Sequence, residues 1–361
     1  MPLENNKSKQ SRSKYLLFYI TCPDDVGGPF WEYGQINGAI LAEDFSLEKE
    51  LGSLFTSDPD DYWRSHHLLA GSLWQGEGNS VYFFYGGCPQ PPNLLYESLG
   101  FSKGIIKDNW EFNWEPPQPL KFIDWGEHYD YCYHPEYPDQ IHRQWRDPFI
   151  VFHQDKYWMF TSAAAKTTSK LYKGCVGLSV ADNLEGPYTS LPPALFPHFN
   201  TEEGTEGIVY ECERSHVYYQ DGIWHLFFCV WKRRTNPLWF EQIGKSINSV
   251  ADSSLYHYVS PEIQGPYTPV SKFPVVKGSS ESNLYATSFI LGLEEELVAY
   301  GLDIESLSLD VSGHWKVLWN NGHPEIKKVS SRNGLDLSNL YWRLKPEGHQ
   351  VWDAMLLKLP A

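Results

Sequence analysis

The most regular feature of the hydrophobic pattern is an aromatic-rich apolar segment that recurs along the chain. Short apolar runs rich in Tyr, Phe, Trp and Val, entered through a polar turn, are typical of buried β-strands. The five copies begin at Lys14, Ser80, Asp155, Gly222 and Glu296 and read KYLLFYI, SVYFFYGG, DKYWMFTSA, GIWHLFFCVW and ELVAYGLD. Successive copies begin 66, 75, 67 and 74 residues apart. We therefore predict five similar units, each built around one such strand.

A second repeated motif supports this period. The tetrad GPYT begins at Gly186 and Gly265; each copy follows a predicted strand, VGLSVA or YHYVS, and precedes a Pro-containing connection. No long amphipathic helix is indicated, since 25 Pro and 28 Gly interrupt the chain throughout. A unit of about 70 residues suits the four-stranded blade of a propeller. We predict an all-β, five-bladed β-propeller over residues 14–361 as one domain, with residues 1–13 as a disordered tail.

Composition adds a high aromatic content to this picture. The 361 residues include 15 Trp, 23 Tyr and 19 Phe, and aromatic residues make up 16% of the chain. Most are expected in the core, but aromatic rings exposed in a cleft also form flat platforms for sugars. Trp63, Trp74, Trp145 and Trp231 flank predicted strands. We expect one or two of these four to line a sugar-binding pocket.

Charge and cysteine usage exclude several classes of function. The net charge of −16 opposes binding to nucleic acid and to anionic membranes. No apolar run is long enough to span a membrane, and YLLFYI is too short and too aromatic for a signal peptide. The six Cys are dispersed without metal-ligand spacing. We expect a soluble cytoplasmic protein with free thiols and no metal or cofactor; its oligomeric state is left open.

Candidate chemistry lies just ahead of two of the aromatic strands. In a propeller, the innermost strand of each blade precedes the aromatic one, so RDPFIVF from Arg146 and ECERSHVYY from Glu211 should line the central channel. Asp147 and the pair Glu211 and Glu213 are then expected to converge, with Arg146 holding Asp147. Asp-Pro at this position is also compatible with an ordinary turn. Two converging carboxylates are the minimum for cleaving a glycosidic bond, and two like charges together should raise the pKa of one.

These motifs resemble the furanoside-cleaving five-bladed propeller enzymes: the levansucrases of glycoside hydrolase family 68, the invertases of family 32 and, more distantly, family 43. Arg146-Asp147-Pro148 resembles their RDP motif, ECER from Glu211 their E-x-E-R motif, LAGSLW from Leu69 their W-S-G-S element, and YHYVSPEIQGPYTPV their V-S-x-x-L-x-G-P-Y segment. The resemblance covers residues of about 14–315, in order but patchily.

The resemblance implies a role for each matching residue. Asp147 would stabilise the transition state, Glu213 would be the acid/base, and Arg146, Glu211, Arg214 and Ser72 would contact the substrate. A family 32 alignment would instead place the acid/base at Glu211-Cys212, whereas the distance to the next strand favours Glu213.

One expected element is missing from the start of the chain. The resembling enzymes carry a nucleophilic Asp on a strand ahead of the one matched by KYLLFYI, and here only MPLENNKSKQSRS precedes it. VWDAM at 351–355 resembles their V-W-D-S-W nucleophile motif. A C-terminal strand that closes the ring would place Asp353 where the nucleophile belongs. The alternative is an outer or closing strand with an ordinary Asp.

Two further stretches are rich in polar and aromatic residues. His66 and His67 precede the LAGS segment and could face the channel, although the sequence does not mark them as ligands. Residues 124–145 lack periodicity and are rich in His, Tyr and Asp, which indicates a long loop over the channel mouth. No ligand spacing there requires a metal.

The sequence therefore favours a retaining glycoside hydrolase or fructosyltransferase-like enzyme acting on a β-fructofuranoside or related furanoside. Asp147, Glu213 and Asp353 are the predicted catalytic residues, and a small carbohydrate is the predicted partner. Hydrolysis and transfer would use the same site, so the sequence does not separate them. The alternative is a non-catalytic carbohydrate-binding propeller, or one with other chemistry, that has lost the nucleophile.

Overall fold

The structure, a computed structural model, describes most of the chain. The described residues are 13–26, 30–91, 95–137, 139–292, 296–303, 306–320, 323–329, 331–332, 335–336, 343–344 and 346–359. Twelve of the thirteen residues predicted to form an N-terminal tail, residues 1–12, lie outside this set. The described part is dominated by β-strands arranged as a five-bladed β-propeller, which confirms the predicted fold class.

Each blade is built on four antiparallel strands, with short extra strands added to some, including β9 (Phe122–Ile123), which pairs parallel with the outer strand of blade three. Blade one contains β1 (Lys14–Pro23), β2 (Gln35–Leu41), β3 (Leu47–Phe55) and β29 (His349–Leu359). Blade two contains β4 (His67–Gln75), β5 (Ser80–Cys88), β6 (Ser98–Ile106), β7 (Phe112–Trp114) and β8 (Gln118–Pro119). Blade three contains β9 (Phe122–Ile123), β12 (Trp145–His153), β13 (Lys156–Ala164), β14 (Gly174–Ala181) and β15 (Tyr188–Leu195).

The last two blades follow the same plan. Blade four contains β18 (Glu213–Gln220), β19 (Ile223–Val230), β20 (Ser254–Ser260) and β21 (Thr268–Pro269). Blade five contains β22 (Leu284–Leu291), β23 (Leu297–Asp303), β24 (Ser308–Asn320), β25 (His323–Lys328) and β28 (Arg343–Leu344).

The remaining elements are short and connect or decorate the blades. Three two-stranded ribbons pair β10 (Cys132–Tyr133) with β11 (Ile141–His142), β16 (His198–Thr201) with β17 (Gly204–Gly207), and β26 (Ser331–Arg332) with β27 (Leu335–Asp336). The α-helices are α1 (Trp125–His128), α2 (Pro237–Gln242) and α3 (Ser279–Ser282). Single 3-10 turns lie at Phe30–Tyr33, Tyr62–Arg64, Asp108–Trp110, Lys232–Arg234 and Ile247–Ser249. In the described part of the chain, no helix is long and apolar enough to cross a membrane.

The five aromatic segments found in the sequence are the second strands of the five blades, β1, β5, β13, β19 and β23. A second strand is covered on both faces by the neighbouring blades. Such a strand is therefore apolar along nearly its whole length and does not alternate between apolar and polar residues. In β5 every residue is buried. Aromatic side chains fill the wedge between blades: Phe18 meets Phe83 at 5.0 Å between blades one and two, and Phe227 meets Phe289 at 5.0 Å between blades four and five. This packing explains the high aromatic content.

The C-terminal strand closes the ring. β29 pairs antiparallel with β1 along its length, from Lys14 opposite Leu359 to Pro23 opposite His349. It becomes the innermost strand of blade one, in contact with β4 of blade two and with β22 of blade five. Together, β29, β4, β12, β18 and β22 surround the central axis.

All six cysteines are buried and unpaired, as expected from the sequence.

Candidate active site

A cavity of about 200 Å³ lies on the propeller axis. Every innermost strand contributes to its lining: Leu69 of β4, Asp147 of β12, Glu213 of β18, Tyr285 of β22 and Asp353 of β29. Residues as far apart in sequence as Trp31 and Asp353 therefore meet in one pocket. The predicted convergence of Asp147, Glu211 and Glu213 is present, and Asp353 joins them.

Each innermost strand has a register shift where it reaches this pocket. The five shifts fall between Leu69 and Gly71, between Arg146 and Phe149, between Glu213 and His216, between Tyr285 and Ser288, and between Val351 and Asp353. A β-bulge bends its strand and turns the local side chains away from the regular alternation. Four of the five bulges therefore bring a polar side chain to the pocket, Asp147, Glu213, Tyr285 or Asp353, whereas the bulge in β4 brings Leu69 and Ala70.

The bulge in β12 accounts for the Arg-Asp-Pro motif. Asp147 has φ of 54°, in the left-handed region, which for a non-glycine residue costs about 1–3 kcal/mol and which Asp tolerates better than most. Pro148 lies inside the bulge, where the ladder skips from the Arg146–Ser162 pair to the Phe149–Phe160 pair. Its missing N–H therefore removes no hydrogen bond from the sheet.

Arg146 is the central cation of the site. Its Nη1 donates to both carboxylate oxygens of Glu97, at 3.0 and 3.2 Å. Its Nη2 donates to Glu211 Oε2 at 2.7 Å and to Glu213 Oε1 at 3.4 Å. Its Nε lies 3.7 Å from Asp147 Oδ2. One buried guanidinium thus stabilises four carboxyl groups that would otherwise repel each other.

One carboxylate oxygen of Asp147 accepts a hydrogen bond from its own blade and another from blade four. The Ser162 hydroxyl donates to Oδ2 at 2.7 Å, and the backbone N–H of Arg214 donates to Oδ2 at 3.0 Å. Asp147 also lines the pocket. A carboxylate at this position can accept hydrogen bonds from sugar hydroxyls.

Arg214 connects three innermost strands. Its Nη1 donates to the carbonyl of Gly71 and its Nη2 to the carbonyl of Ala354, both at 2.8 Å. Its Nε lies 3.2 Å from Asp353 Oδ1, which also accepts the N–H of Ala354 at 2.6 Å. The guanidinium therefore fixes both the strand that carries Asp353 and the carboxylate itself.

The pKa values of the neighbouring Glu211 and Glu213 are shifted in opposite directions. Burial raises the pKa of Glu213 to about 8, and the charge of Glu211 adds to this effect. Burial also favours a raised pKa for Glu211, but the charges of Arg146 and Arg234 outweigh it and hold that pKa below its usual value. One of the two like-charged groups thus takes up the proton, as the sequence predicted. The Tyr285 hydroxyl donates to Glu213 Oε2 at 3.1 Å and orients it.

Asp353 is buried in the same environment. Burial raises the pKa of Asp353 to about 7, against the opposing effect of the Arg214 charge. Asp353 has Arg214 as its direct partner, whereas Glu213 shares Arg146 with three other carboxyl groups.

Ser72 is the one predicted site residue outside this pocket. It lines a second, smaller cavity together with Gly71, Asp147 and Arg214. This cavity lies behind the Asp147–Arg214 contact, since those two residues line both spaces. The structure therefore places Ser72 behind the acidic cluster and does not bring it into the pocket.

The tryptophans that the sequence suggested for the pocket do not all lie there in the structure. Trp231 lines the pocket, whereas Trp145 is fully buried in the core between blades two and three. Two others that the sequence did not single out, Trp31 and Trp352, also line it. Trp352 is adjacent to Asp353 in the bulge of β29, a position that is visible only once that strand is placed.

Of the two adjacent histidines, His67 lines the pocket. Burial and the neighbouring His66 lower the pKa of His67 to about 3, so it is neutral at physiological pH. The segment at 124–145 folds partly into α1 and the β10–β11 hairpin, and its His134 and His142 reach the pocket.

Several functional residues had no clear signal in the sequence. Glu97 precedes β6, Tyr285 lies on β22, and neither belongs to a recognised motif. Arg234 was visible only as part of the Lys-Arg-Arg run after β19; in the structure its Nε lies 3.4 Å from Glu211 Oε1. Among the described residues, no cluster of three or more His, Cys, Asp or Glu side chains is arranged to hold a metal ion.

Comparison with known proteins shows a strong likeness in fold and a weak one in sequence. No family model matches the chain. A levansucrase from Erwinia amylovora is 29% identical over 119 residues, which is 33% of this chain and 25% of that protein, so the match spans a quarter of the relative's length.

Two solved structures illustrate the likeness in fold. The inulosucrase from Halalkalicoccus jeotgali bound to kestose superposes with a TM-score of 0.56 at 16% identity over 90% of both chains. A β-fructofuranosidase variant from Microbacterium saccharophilum K-1 superposes with a TM-score of 0.56 at 14% identity, over 80% of this chain and 64% of that one. The predicted resemblance to furanoside-cleaving propellers is thus confirmed at the level of the fold.

Proposed function

We propose that this protein is a glycoside hydrolase or fructosyltransferase-like enzyme that acts on a β-fructofuranoside or related furanoside with retention of configuration. The observation that carries the proposal is the meeting of Asp147, Glu213 and Asp353 in one buried pocket on the axis. The three residues come from three blades, and two arginines connect them. The printed names of the fold relatives, levansucrase, inulosucrase and β-fructofuranosidase, support the choice of substrate class.

The first half of the reaction uses Asp353 and Glu213. The ionised carboxylate of Asp353 attacks the anomeric carbon and forms a glycosyl–enzyme ester. The bond from that carbon to the leaving-group oxygen breaks, its electron pair goes to the oxygen, and protonated Glu213 supplies the proton. The raised pKa of Glu213 keeps its proton available near neutral pH.

The second half regenerates the enzyme. The Glu213 carboxylate removes a proton from water or from a sugar hydroxyl, whose oxygen attacks the anomeric carbon and releases Asp353. Attack by water is hydrolysis, and attack by a hydroxyl is transfer. Both outcomes use the same residues, so the competing acceptor decides between them.

Asp147, Arg146 and Glu211 support these steps. Asp147 accepts hydrogen bonds from furanoside hydroxyls and stabilises the positive charge that develops on the ring in the transition state. Arg146 orients Asp147, Glu211 and Glu213 through its contacts of 2.7–3.7 Å. Glu211 stays ionised and offers an acceptor to the substrate.

The test is turnover of sucrose, raffinose, kestose and aryl furanosides by the wild type and by Asp353→Asn, Asp147→Asn and Glu213→Gln. Each substitution should lower kcat by at least about 10³-fold, because each removes a group that acts in the transition state. Asp182→Asn is a matched control, since Asp182 pairs with Lys156 in an exposed ion pair away from the pocket. Proton NMR of the first-formed product should show retention.

Two outcomes would contradict the proposal in different ways. Sugar binding without turnover of any furanoside would favour a non-catalytic carbohydrate-binding propeller. Wild-type activity in Asp353→Asn would remove Asp353 as nucleophile while leaving the fold and the other roles in place.

A further inference from the structure

Glu97 contacts the central cation of the site from blade two. Its two carboxylate oxygens accept both hydrogen bonds donated by Arg146 Nη1, at 3.0 and 3.2 Å. Its Oε2 also accepts the backbone N–H of Trp145 at 2.9 Å. Glu97 is therefore fixed to the residue just before Arg146 as well as to the Arg146 side chain, and it is buried.

A buried histidine lies on the other side of Glu97. His142 Nε2 lies 2.9 Å from Glu97 Oε1, and His142 Nδ1 lies 2.8 Å from the Tyr210 hydroxyl. An ionised carboxylate can only accept, so Nε2 donates to Glu97. Burial lowers the pKa of His142, but the charge and hydrogen bond of Glu97 together with the neighbouring Cys132 outweigh it, and the pKa rises to about 9. Both ring nitrogens then carry protons, with Glu97 and Tyr210 as their acceptors.

The result is a chain of alternating charges that ends at the proposed acid/base. Burial favours a raised pKa for Glu97, but Arg146 and His142 together lower that pKa to about 2. His142 is thus a cation, Glu97 an anion and Arg146 a cation, and the far side of the Arg146 guanidinium faces Glu211 and Glu213. No mechanistic step above uses Glu97 or His142.

We propose that Glu97 and His142 are positioning residues that hold the Arg146 guanidinium in place and, through its charge, control the protonation of Glu213. The role of Glu213 in this inference rests on the proposed function. Glu97 prevents Arg146 from rotating away from the two glutamates, and it offsets part of the Arg146 charge. His142 in turn offsets part of the Glu97 charge.

The direction of each effect follows from Coulomb's law. Removing the negative charge of Glu97 increases the positive potential at Glu213, so Glu213 should lose its proton at lower pH. Removing the positive charge of His142 has the opposite effect. In Glu97→Gln the amide oxygen of the new side chain can still accept from Arg146 Nη1, so the guanidinium stays beside Glu213 and the lost negative charge sets the direction. His142 reaches Arg146 only through Glu97, so a loss of the imidazole's charge has the smaller effect at Glu213.

Other titratable groups face this chain. Around Glu97 they are His67, Cys88, Arg143, His142 and Arg146. Around His142 they are Cys132, His134 and Tyr210. Around Glu213 they are Asp147, Glu211, Cys212, Cys229, Tyr285 and Arg146. Burial raises the pKa of Cys88, Cys212, Cys229 and Tyr285 above the ordinary values, so these groups stay neutral across the range of interest.

The experiment compares pH profiles of kcat/KM for Glu97→Gln, His142→Gln and Glu97→Asp. The alkaline limb should move to lower pH in Glu97→Gln and to higher pH in His142→Gln, by about 0.5–1 pH unit. Glu97→Asp keeps the charge but shortens the reach, so it should keep the alkaline limb and lower kcat by about tenfold with little change in KM. Glu185→Gln and His198→Gln are matched controls on exposed positions outside the pocket.

A second readout requires no turnover. Carboxyl ¹³C NMR of glutamate-labelled protein, with the Glu213 signal assigned by its loss in Glu213→Gln, gives the Glu213 titration directly. Opposite shifts of the Glu213 titration in Glu97→Gln and His142→Gln support the inference, whether or not the wild type turns over a furanoside. Absence of turnover would count against the proposed function alone. Unshifted titrations in folded variants would overturn it. Should a Gln variant fail to fold, wild-type kcat in Glu97→Asp would overturn it.

Discussion

At the scale of single residues, the site separates three carboxyl groups by their surroundings. Asp353 has one guanidinium as its direct partner, Glu213 shares another with three carboxyl groups, and Asp147 accepts two hydrogen bonds on one oxygen. Asp147 and Asp353 are buried and the Glu213 side chain is only 13% exposed, so burial alone does not distinguish them. This difference in their partners is the basis of the proposed roles of nucleophile, acid and stabiliser.

The proposed roles predict a narrow pH optimum. Asp353 must be ionised to attack, so kcat/KM should fall below its pKa of about 7; Glu213 must be protonated to donate, so kcat/KM should fall above its pKa of about 8. We expect a bell-shaped profile with its maximum between these values. It should be measured with an aryl furanoside at constant ionic strength.

The control for this profile is Glu213→Gln assayed with a leaving group that departs without protonation. Its residual activity should keep the acidic limb and lose the alkaline one. An alkaline limb that persists unchanged in this variant would assign that limb to a different group.

At the scale of elements, the innermost strands determine where the functional groups point. Each strand packs its regular part in the core and bends at a bulge beside the pocket. Asp147, Arg214 and Ala286 all have positive φ at these bulges, with values of 54°, 52° and 53°. The surrounding sheets maintain this strained backbone, because each bulge is flanked by paired residues on both sides.

Arg214 should be sensitive even to a conservative change. Lys would keep the charge near Asp353 but could not bond the carbonyls of Gly71 and Ala354 at the same time. β4, β18 and β29 would lose their common contact, and Asp353 would move. We expect Arg214→Lys to lower kcat by about 10²-fold.

The measurement is kcat and KM on one furanoside, beside the Tm of the same preparation. Arg64→Lys is the matched control, because Arg64 is equally buried and ion-paired but lies outside the pocket. Wild-type kcat in Arg214→Lys would show that β29 is positioned without this guanidinium.

At the scale of the whole molecule, the fold and the site are completed by the same strand. β29 covers the inner edge of β1 and supplies Asp353 to the pocket. Without β29 the edge of β1 would be unpaired, and blades two and five would lose the contacts that β29 makes with them. Closure of the ring and assembly of the proposed site are therefore one event.

Deleting residues 346–361 should abolish both folding and activity. The strand buries Val351, Met355 and Leu359, and at about 1.5–3 kcal/mol for each large apolar side chain the loss approaches the total stability of a typical domain, about 5–15 kcal/mol. The unpaired edge of β1 should also promote aggregation. Circular dichroism melts would detect the loss of folding, and size-exclusion chromatography would detect the aggregation.

Deletion of residues 360–361 alone is the control, because β29 ends at Leu359. It should leave Tm within a few degrees of the wild-type value. A longer truncation that still melts cooperatively at the wild-type Tm would mean that the ring is stable without β29.

The sequence alone determined the features that are encoded locally and repeated. The five second strands are recognisable because each is buried between blades and is therefore apolar over its whole length. The position of Asp147 and the pair Glu211 and Glu213 follows from that repeat, since an innermost strand must precede each second strand.

Only the tertiary structure decided which distant groups lie beside Asp147, Glu211 and Glu213. The pairing of β29 with β1 brings Asp353 to the axis, and the contacts of Arg146 identify Glu97 and His142. No local pattern encodes these contacts, because they depend on which edges meet when the ring closes. The same reason explains why Trp145 is core and Trp231 lines the pocket, although both flank strands in a similar sequence context.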